Sequence, residues 1–308
     1  MTTTPIIAII GAGLMGHGIA QVFAARGHDV RVFDPVPEAL ATLRNRIAGN
    51  LRALGEDPAC AEAVQPCKAL AEAVAGVGLV IEAASENLDV KRSLFAEIEA
   101  HAPRDAVLAT NTSVIPIGSI MAGLAHPERA LGTHWWNPPY LVPLVEVIGT
   151  DETAPEAISR TMDLLAAAGK TPVHVRRDVP GFIGNRLQHA LWREAVSLVE
   201  TGVCDAQTVD TVLKTSFGLR LAVLGPLENA DLVGTDLTLA IHETILPALN
   251  RDPGPSDYLR HLVAGGRLGM KAGEGFRHWP QAAADQVRAR LVRHLRQAVQ
   301  RPGEGDES

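Results

Sequence analysis

The chain reads as an α/β domain, a mostly parallel sheet covered by helices, followed by a second, all-α C-terminal domain. Three observations predict this. Ile6–Ile10 is a continuous apolar run of the kind that forms a strand buried on both faces. Strand-like runs then alternate with helical stretches as far as Val175. Beyond Pro180-Gly181 no strand signal remains, and Ile183, Leu187, Leu191, Ala195 and Leu198 recur at helical spacing. The predicted domains are therefore 1–178 and 179–308.

The first strand runs straight into Gly11-Ala12-Gly13-Leu14-Met15-Gly16, and an apolar helical pattern (Ile19, Ala20, Val22, Phe23) ends at Gly27. A second strand, Val30–Phe33, closes on Asp34. Each glycine has a reason in this setting: Gly11 for the tight turn, Gly13 for close approach of backbone to a pyrophosphate, Gly16 for helix-on-strand packing. The anion would sit at the helix N-terminus, with Leu14 and Met15 inside the cradle. Asp34 is placed to accept the adenosine ribose hydroxyls and to repel a 2′-phosphate, and Pro35-Val36-Pro37 supplies no cation to neutralise one. The motif in this context is a Rossmann-type dinucleotide site that prefers NAD to NADP. The competing reading of Asp34 is a helix N-cap for the segment from Glu38.

Further strand-like runs are Leu79–Ile81, Ala106–Ala109, Ala130–Thr133, Val142–Ile148 and Pro172–Val175. Helical patterns fill 205–216, 227–250 and 281–300, and the tail Pro302–Ser308 has the composition of disordered chain. The 308 residues are 46% hydrophobic and 20% charged, which excludes disorder of the whole chain and fibrous repeats. With 35 acids against 28 bases, and no aromatics interleaved with basic runs, nucleic-acid binding is not expected. The longest stretch without polar side chains, Ile6–Gly16, is too short to span a bilayer, and Met1–Pro5 lacks the basic start of a secretory signal. Cys60, Cys67 and Cys204 are odd in number and form no C-x-x-C, so neither a disulfide framework nor a metal site is expected. A cytoplasmic protein fits.

Candidate chemistry lies between 111 and 146. Asn111-Thr112-Ser113 and His134 each follow a strand, at the sheet edge where open parallel sheets bind ligands. Glu146 sits inside the apolar run Leu144–Ile148, and a carboxylate there needs a partner. If that partner is His134, the Glu fixes the imidazole tautomer while the other ring nitrogen takes a hydroxyl proton. A structural His–Glu pair is the alternative.

These residues together give the chain its resemblance to the L-3-hydroxyacyl-CoA dehydrogenase family, including relatives that act on free hydroxy acids. The ordered set is Gly11-x-Gly13-x-x-Gly16, Glu82-Ala83-Ala84-Ser85-Glu86-Asn87 with Lys91, Asn111-Thr112-Ser113, His134-Trp135-Trp136-Asn137-Pro138, Val145-Glu146-Val147, Pro180-Gly181-Phe182-Ile183-x-Asn185-Arg186, Gly225-Pro226 and Lys271-x-Gly273-Glu274-Gly275-Phe276. The resemblance implies that His134 is the catalytic base with Glu146 as partner, and that Ser113 and Asn185 bind the reacting oxygen of the substrate. It implies cofactor contacts at Ala84, Glu86, Lys91, Asn111, Ser113, Asn137 and Lys271, with Lys271 completing the site by closure of the second domain. Ser113 and Asn185 have plainer readings as a helix cap and a helix-start residue.

The chain also departs from the coenzyme A branch. The stretch after Asp34 has Lys68 as its only lysine before Glu82, where that branch carries a lysine-rich hairpin, and Arg44, Arg46 and Arg52 read more simply as a solvated face. Gly218–Pro226 resembles instead the branch of L-gulonate 3-dehydrogenase (the lambda-crystallin relatives) and carnitine dehydrogenase. Arg220 there is expected either to clamp a free substrate carboxylate or to be a surface residue. Trp135 and Trp136 replace smaller rings and are expected to pack. The predicted activity is thus NAD-dependent oxidation of the 3-hydroxyl of an L-3-hydroxy acid or its coenzyme A thioester. The alternatives are strict use of free acids and an NADH-binding protein without turnover. The 3-hydroxyisobutyrate and 6-phosphogluconate dehydrogenases use a lysine that Gly181–Leu191 lacks. A homodimer through residues 180–300 is expected.

Overall fold

Eight short strands make a single sheet in this computed structural model, which describes residues 4–300; the Pro302–Ser308 tail lies outside the described residues. The strands are β1 (Ile7–Ile10), β2 (Val30–Phe33), β3 (Val64–Cys67), β4 (Leu79–Glu82), β5 (Val107–Thr110), β6 (Ala130–Trp135), β7 (Leu144–Ile148) and β8 (Thr171–Val175). Their order is β3-β2-β1-β4-β5-β6-β7-β8, and only the β6–β7 pair is antiparallel. The chain order reverses between β1 and β4, which opens a crevice at their carboxyl ends.

Helices α1 (Leu14–Ala24), α2 (Pro37–Ala41), α3 (Leu43–Leu54), α4 (Leu70–Val74), α5 (Leu88–His101), α6 (Ile117–Met121) and α7 (Pro155–Ala167) belong to this sheet domain. Alternation along each strand divides the core in two. Ile7, Ile9, Val30, Val32 and Ile81 pack with Phe23, Leu43, Ile47, Leu51 and Leu165 on one face. Ala8, Ile10, Val80 and Leu108 pack with Leu70, Phe95, Ile98, Ile117 and Ile120 on the other. The strands carry apolar residues on both faces because helices cover both faces.

Strand β3 is an addition to the seven strands expected from sequence. Its Val-Gln-Pro-Cys is broken by Gln65 and Pro66, so it has neither alternation nor a continuous apolar run, and it is tolerated because it lies at the sheet edge.

The described residues divide into two compact units, one of them Leu187–Val292 and the other the sheet domain up to Arg186 together with the end of the chain's last helix from Arg293. Past the sheet run α8 (Gly184–Glu200), α9 (Ala206–Thr215), α10 (Pro226–Val233), α11 (Thr235–Ile245), α12 (Asp257–Ala264) and α13 (Gln281–Gln300). In the second unit only Leu262 and Ala284 are buried hydrophobics, while Leu219, Val223, Leu227, Leu232 and Leu239 are exposed.

Phe23 is 0% exposed and stands edge-on to His28 and Trp135, with centroids 5.5 and 6.0 Å away. Phe23→Ala should cost about 3–5 kcal/mol, read as a lower urea midpoint at unchanged m-value.

Candidate active site

The glycine loop has the shape its sequence predicts. Gly11 takes a φ of +109°, and a Cβ there would lie 2.6 Å from the Ala83 carbonyl oxygen; a Cβ on Gly16 would lie 1.8 Å from the Gly11 oxygen. A Cβ on Gly13 would meet nothing within 4 Å, so the backbone faces open space where a ligand can approach. No side chain caps α1, whose first N–H groups are free for an anion. Asp34 straps the loop to the end of β2: Oδ2 accepts the Ala12 N–H at 2.6 Å and Oδ1 accepts the Val36 N–H at 2.8 Å. It is not the N-cap of α2, a position held by Val36. Each carboxylate oxygen keeps a lone pair for a ribose hydroxyl. The donor set fits NAD.

At the carboxyl ends of β4 and β5 lies a buried charge network. Glu82, 0% exposed, accepts the Lys91 ammonium at 2.8 and 3.0 Å, the Thr110 hydroxyl at 2.6 Å and the Ala84 N–H at 2.7 Å. Lys91 also lies 3.5 Å from Glu86. Glu86 Oε1 in turn accepts the Thr112 hydroxyl at 2.7 Å and the Ser113 N–H at 2.8 Å. Burial raises the Glu86 carboxyl, but the Thr112 and Ser113 hydrogen bonds and the Lys91 charge outweigh it and hold the group below its ordinary value. Sequence reasoning assigned no role to Glu82 or Thr112, and Lys91, expected at the cofactor, is 1% exposed with its ammonium held by Glu82.

His134 and Glu146 are directly opposite each other across the antiparallel β6–β7 pair. That register brings His134 Nδ1 to 2.7 Å from Glu146 Oε2, with both side chains buried. Glu146 Oε1 accepts the Ile183 and Gly184 N–H groups at 2.9 and 3.0 Å, at the start of α8. Burial raises the Glu146 carboxyl, but the His134 and backbone hydrogen bonds lower it further, leaving it below its ordinary value. The imidazole is flanked by the Trp136 and Phe182 rings, with centroids at 5.3 and 5.5 Å. Gly184 is required here, since a Cβ would come within 2.4 Å of Trp136.

Asn185 Nδ2 donates to the Ser113 carbonyl at 2.9 Å, so the turn beside Glu146 also touches the Asn111-Thr112-Ser113 loop. The N-cap of α6 is Pro116, not Ser113. Asn111 Oδ1 accepts the Trp135 N–H at 3.0 Å, and Asn137 is exposed at the end of β6. Leu14 is exposed and Met15 half-buried at the loop. Arg220 and Lys271 belong to the second unit and are exposed. Among the described residues no group of three His, Cys, Asp or Glu side chains is placed to hold a metal ion.

Comparison with known proteins settles the family. The model for the NAD-binding domain of 3-hydroxyacyl-CoA dehydrogenases matches residues 6–179, and the model for their C-terminal domain matches 181–279. The chain belongs to the 3-hydroxyacyl-CoA dehydrogenase family. It is 36% identical to 5-formyl-3-hydroxy-2-methylpyridine 4-carboxylate 5-dehydrogenase of Mesorhizobium japonicum, over 98% of this chain and 99% of that one. It is 41% identical to L-carnitine dehydrogenase of Streptomyces griseus, over 74% of this chain and 69% of that one. A crystal structure of the pyridine carboxylate dehydrogenase, described as an NAD+-dependent dismutase, superposes with a TM-score of 0.89 at 33% identity, covering 96% of this chain and 97% of that one. The protein is an NAD-dependent oxidoreductase of this family, oxidising a hydroxyl to an oxo group.

Two outcomes follow from the geometry. Gly16→Ala should abolish NADH binding, measured by fluorescence titration, since the new Cβ collides with backbone. Glu146, with its lowered carboxyl, stabilises the fold above its ordinary value of 4.5 and loses that contribution as pH falls through its lowered value. The difference in urea midpoint between wild type and Glu146→Gln should therefore shrink from pH about 6 to about 3.

Proposed function

We propose that the protein oxidises the 3-hydroxyl of a small L-3-hydroxy acid, with His134 as general base and Glu146 as its orienting partner. The observation that carries this reading is the 2.7 Å contact between His134 Nδ1 and Glu146, which commits that nitrogen and leaves Nε2 to take the substrate proton. Bound NAD supplies the hydride acceptor. Glu146 stabilises the imidazolium that forms, and the buried ring lets little water compete for the proton. Ser113 and Asn185 bind the reacting oxygen and the charge developing on it. Gly11, Gly13, Leu14, Met15, Gly16, Asp34, Ala84, Glu86, Asn111, Ser113, Asn137 and Lys271 would contact the cofactor, while Lys91, buried against Glu82, would act on it through the Glu86 carboxylate 3.5 Å away.

A free acid is favoured over a coenzyme A thioester. The L-carnitine and pyridine carboxylate dehydrogenases are both named for substrates with a carboxylate. Arg220, exposed and without an ion pair among the described residues, is the group proposed to clamp that carboxylate. A second reading has its own support in the match to the pyridine carboxylate dehydrogenase over 98% of the chain: oxidation of a hydrated aromatic aldehyde that bears a carboxylate. The chemistry at His134 is the same, since an aldehyde hydrate offers the same O–H.

NADH formation with L-3-hydroxybutyrate, L-carnitine, L-gulonate, L-3-hydroxybutyryl-CoA and a carboxylated aromatic aldehyde separates these readings. Turnover of a free hydroxy acid, lost in Arg220→Ala, is the expected result; turnover of the thioester alone would overturn it. His134→Gln should lower kcat by about 10²–10⁴ and leave NADH affinity intact.

The protein works as a cytoplasmic homodimer paired through its helical unit. The dimer is supported by the second unit itself, whose only buried hydrophobics are Leu262 and Ala284 while its helices present Leu and Val side chains to solvent. No helix among the described residues is long and apolar enough to cross a membrane, and the three cysteines are unpaired. Light scattering should give a mass of twice the 32.7 kDa chain, and the mass of one chain would contradict the dimer.

A further inference from the structure

The link between β6 and β7 joins the strand that carries His134 to the strand that carries Glu146, and among the described residues the side chain that hydrogen-bonds its backbone from outside is Lys170, beside the Thr171 N–H that donates to the Pro143 oxygen at 2.9 Å. Lys170 follows α7 in a tight helix stop. Gly169, at a φ of +79°, donates its N–H to the Ala166 oxygen at 2.9 Å, and the Lys170 N–H reaches the Leu165 oxygen at 3.0 Å. This anchors the base of the side chain. Its ammonium donates to the Pro139 carbonyl and, at 3.0 Å, to the Val142 carbonyl. It also lies 5.6 Å from the centre of the Trp135 ring, next to His134 in β6. Within the link, the Leu141 and Val142 N–H groups both donate to the Pro138 oxygen at 3.0 Å. The second residue of the link is Asn137, a proposed cofactor contact.

We propose that Lys170 is a positioning residue for the oxidation: its ammonium clamps the β6–β7 link and so holds Asn137 and the end of the His134 strand in the geometry the reaction needs. The inference rests on His134 as the base. Two carbonyls and a ring face suit a cation better than a neutral amine, because charge-assisted hydrogen bonds are the stronger ones. Yet no acid among the described residues pairs with Lys170. The charged neighbour is Arg26, just beyond α1, whose guanidinium would lie 3.1 Å from a Cβ on Gly169. The titratable group within the link is Tyr140, whose phenol burial pushes up. Burial, reinforced by Arg26, lowers the Lys170 ammonium from its ordinary 10.5 to about 8. The sign is informative. A lowered lysine makes the native state less stable where it is charged, so the fold gains stability as pH rises through that value while the clamp loses its charge. Stability and turnover then move in opposite directions, which a purely structural lysine would not produce.

The test compares wild type, Lys170→Met and Lys170→Arg by turnover against pH and by hydrogen–deuterium exchange at the Leu141 and Val142 amides. Lys170→Met should lower kcat about tenfold or more, because small misplacements of reacting groups are costly, while the thermal midpoint does not fall. Wild-type kcat should decline above pH about 8, and Lys170→Arg, which stays charged, should keep its turnover there. Exchange at the two link amides, corrected for intrinsic rates, should quicken in Lys170→Met and not in Lys170→Arg. A Lys170→Met enzyme within about twofold of wild type in kcat, with the same alkaline limb, would overturn the proposal. Exchange is read without turnover, so it tests the clamp even if His134 is not the base; unchanged protection in Lys170→Met would overturn the clamp on its own.

Discussion

The Glu146 carboxylate is the constraint on which the candidate site depends. One oxygen takes the His134 Nδ1 and the other takes two backbone N–H groups at the start of α8, so a single buried charge sets the imidazole and the helix that follows the sheet. A carboxylate buried without these partners would be costly, and with them it remains charged. The antiparallel register makes the arrangement possible: in an otherwise parallel sheet, β6 and β7 run opposite ways and place His134 and Glu146 as a cross-strand pair.

The second organising charge is Glu82. It ends β4 inside the core and collects Lys91 from α5 and Thr110 from β5, while Glu86 gathers the backbone leading to Ser113. The strand ends that form the crevice are thus tied by ionic and hydrogen-bonded groups as well as by apolar packing. The Asn185 bond to the Ser113 carbonyl connects this network to the turn held by Glu146. The residues of the candidate site are thereby held to one another by hydrogen bonds and ion pairs that run from β4 to the start of α8.

Much of this was legible in the sequence where the signal was local. The glycine loop announces itself because three glycines, a preceding apolar run and a following acid each answer one steric or electrostatic need, and Gly11 and Gly16 meet backbone in the way those needs imply. The His134–Glu146 pair was legible because a carboxylate inside Leu144–Ile148 demanded a partner and a histidine ended the preceding strand. Three features were not. Strand β3 carries no periodicity because an edge position tolerates Gln65 and Pro66. Glu82 reads as the last residue of an apolar strand, and its partners come from α5 and β5, up to 28 residues away. Lys170 reads as an ordinary residue after a helix, and only the folded link shows two carbonyls beneath it.

The central claim is that Glu146 holds the neutral His134 ring with its proton on Nδ1, leaving Nε2 as the base. Long-range nitrogen–proton correlation spectra of the histidine rings, with His134 assigned through His134→Gln, read this directly. The account predicts the Nδ1–H tautomer for the neutral His134 ring in wild type and loss of that preference in Glu146→Ala. A neutral His134 ring protonated on Nε2 would contradict it.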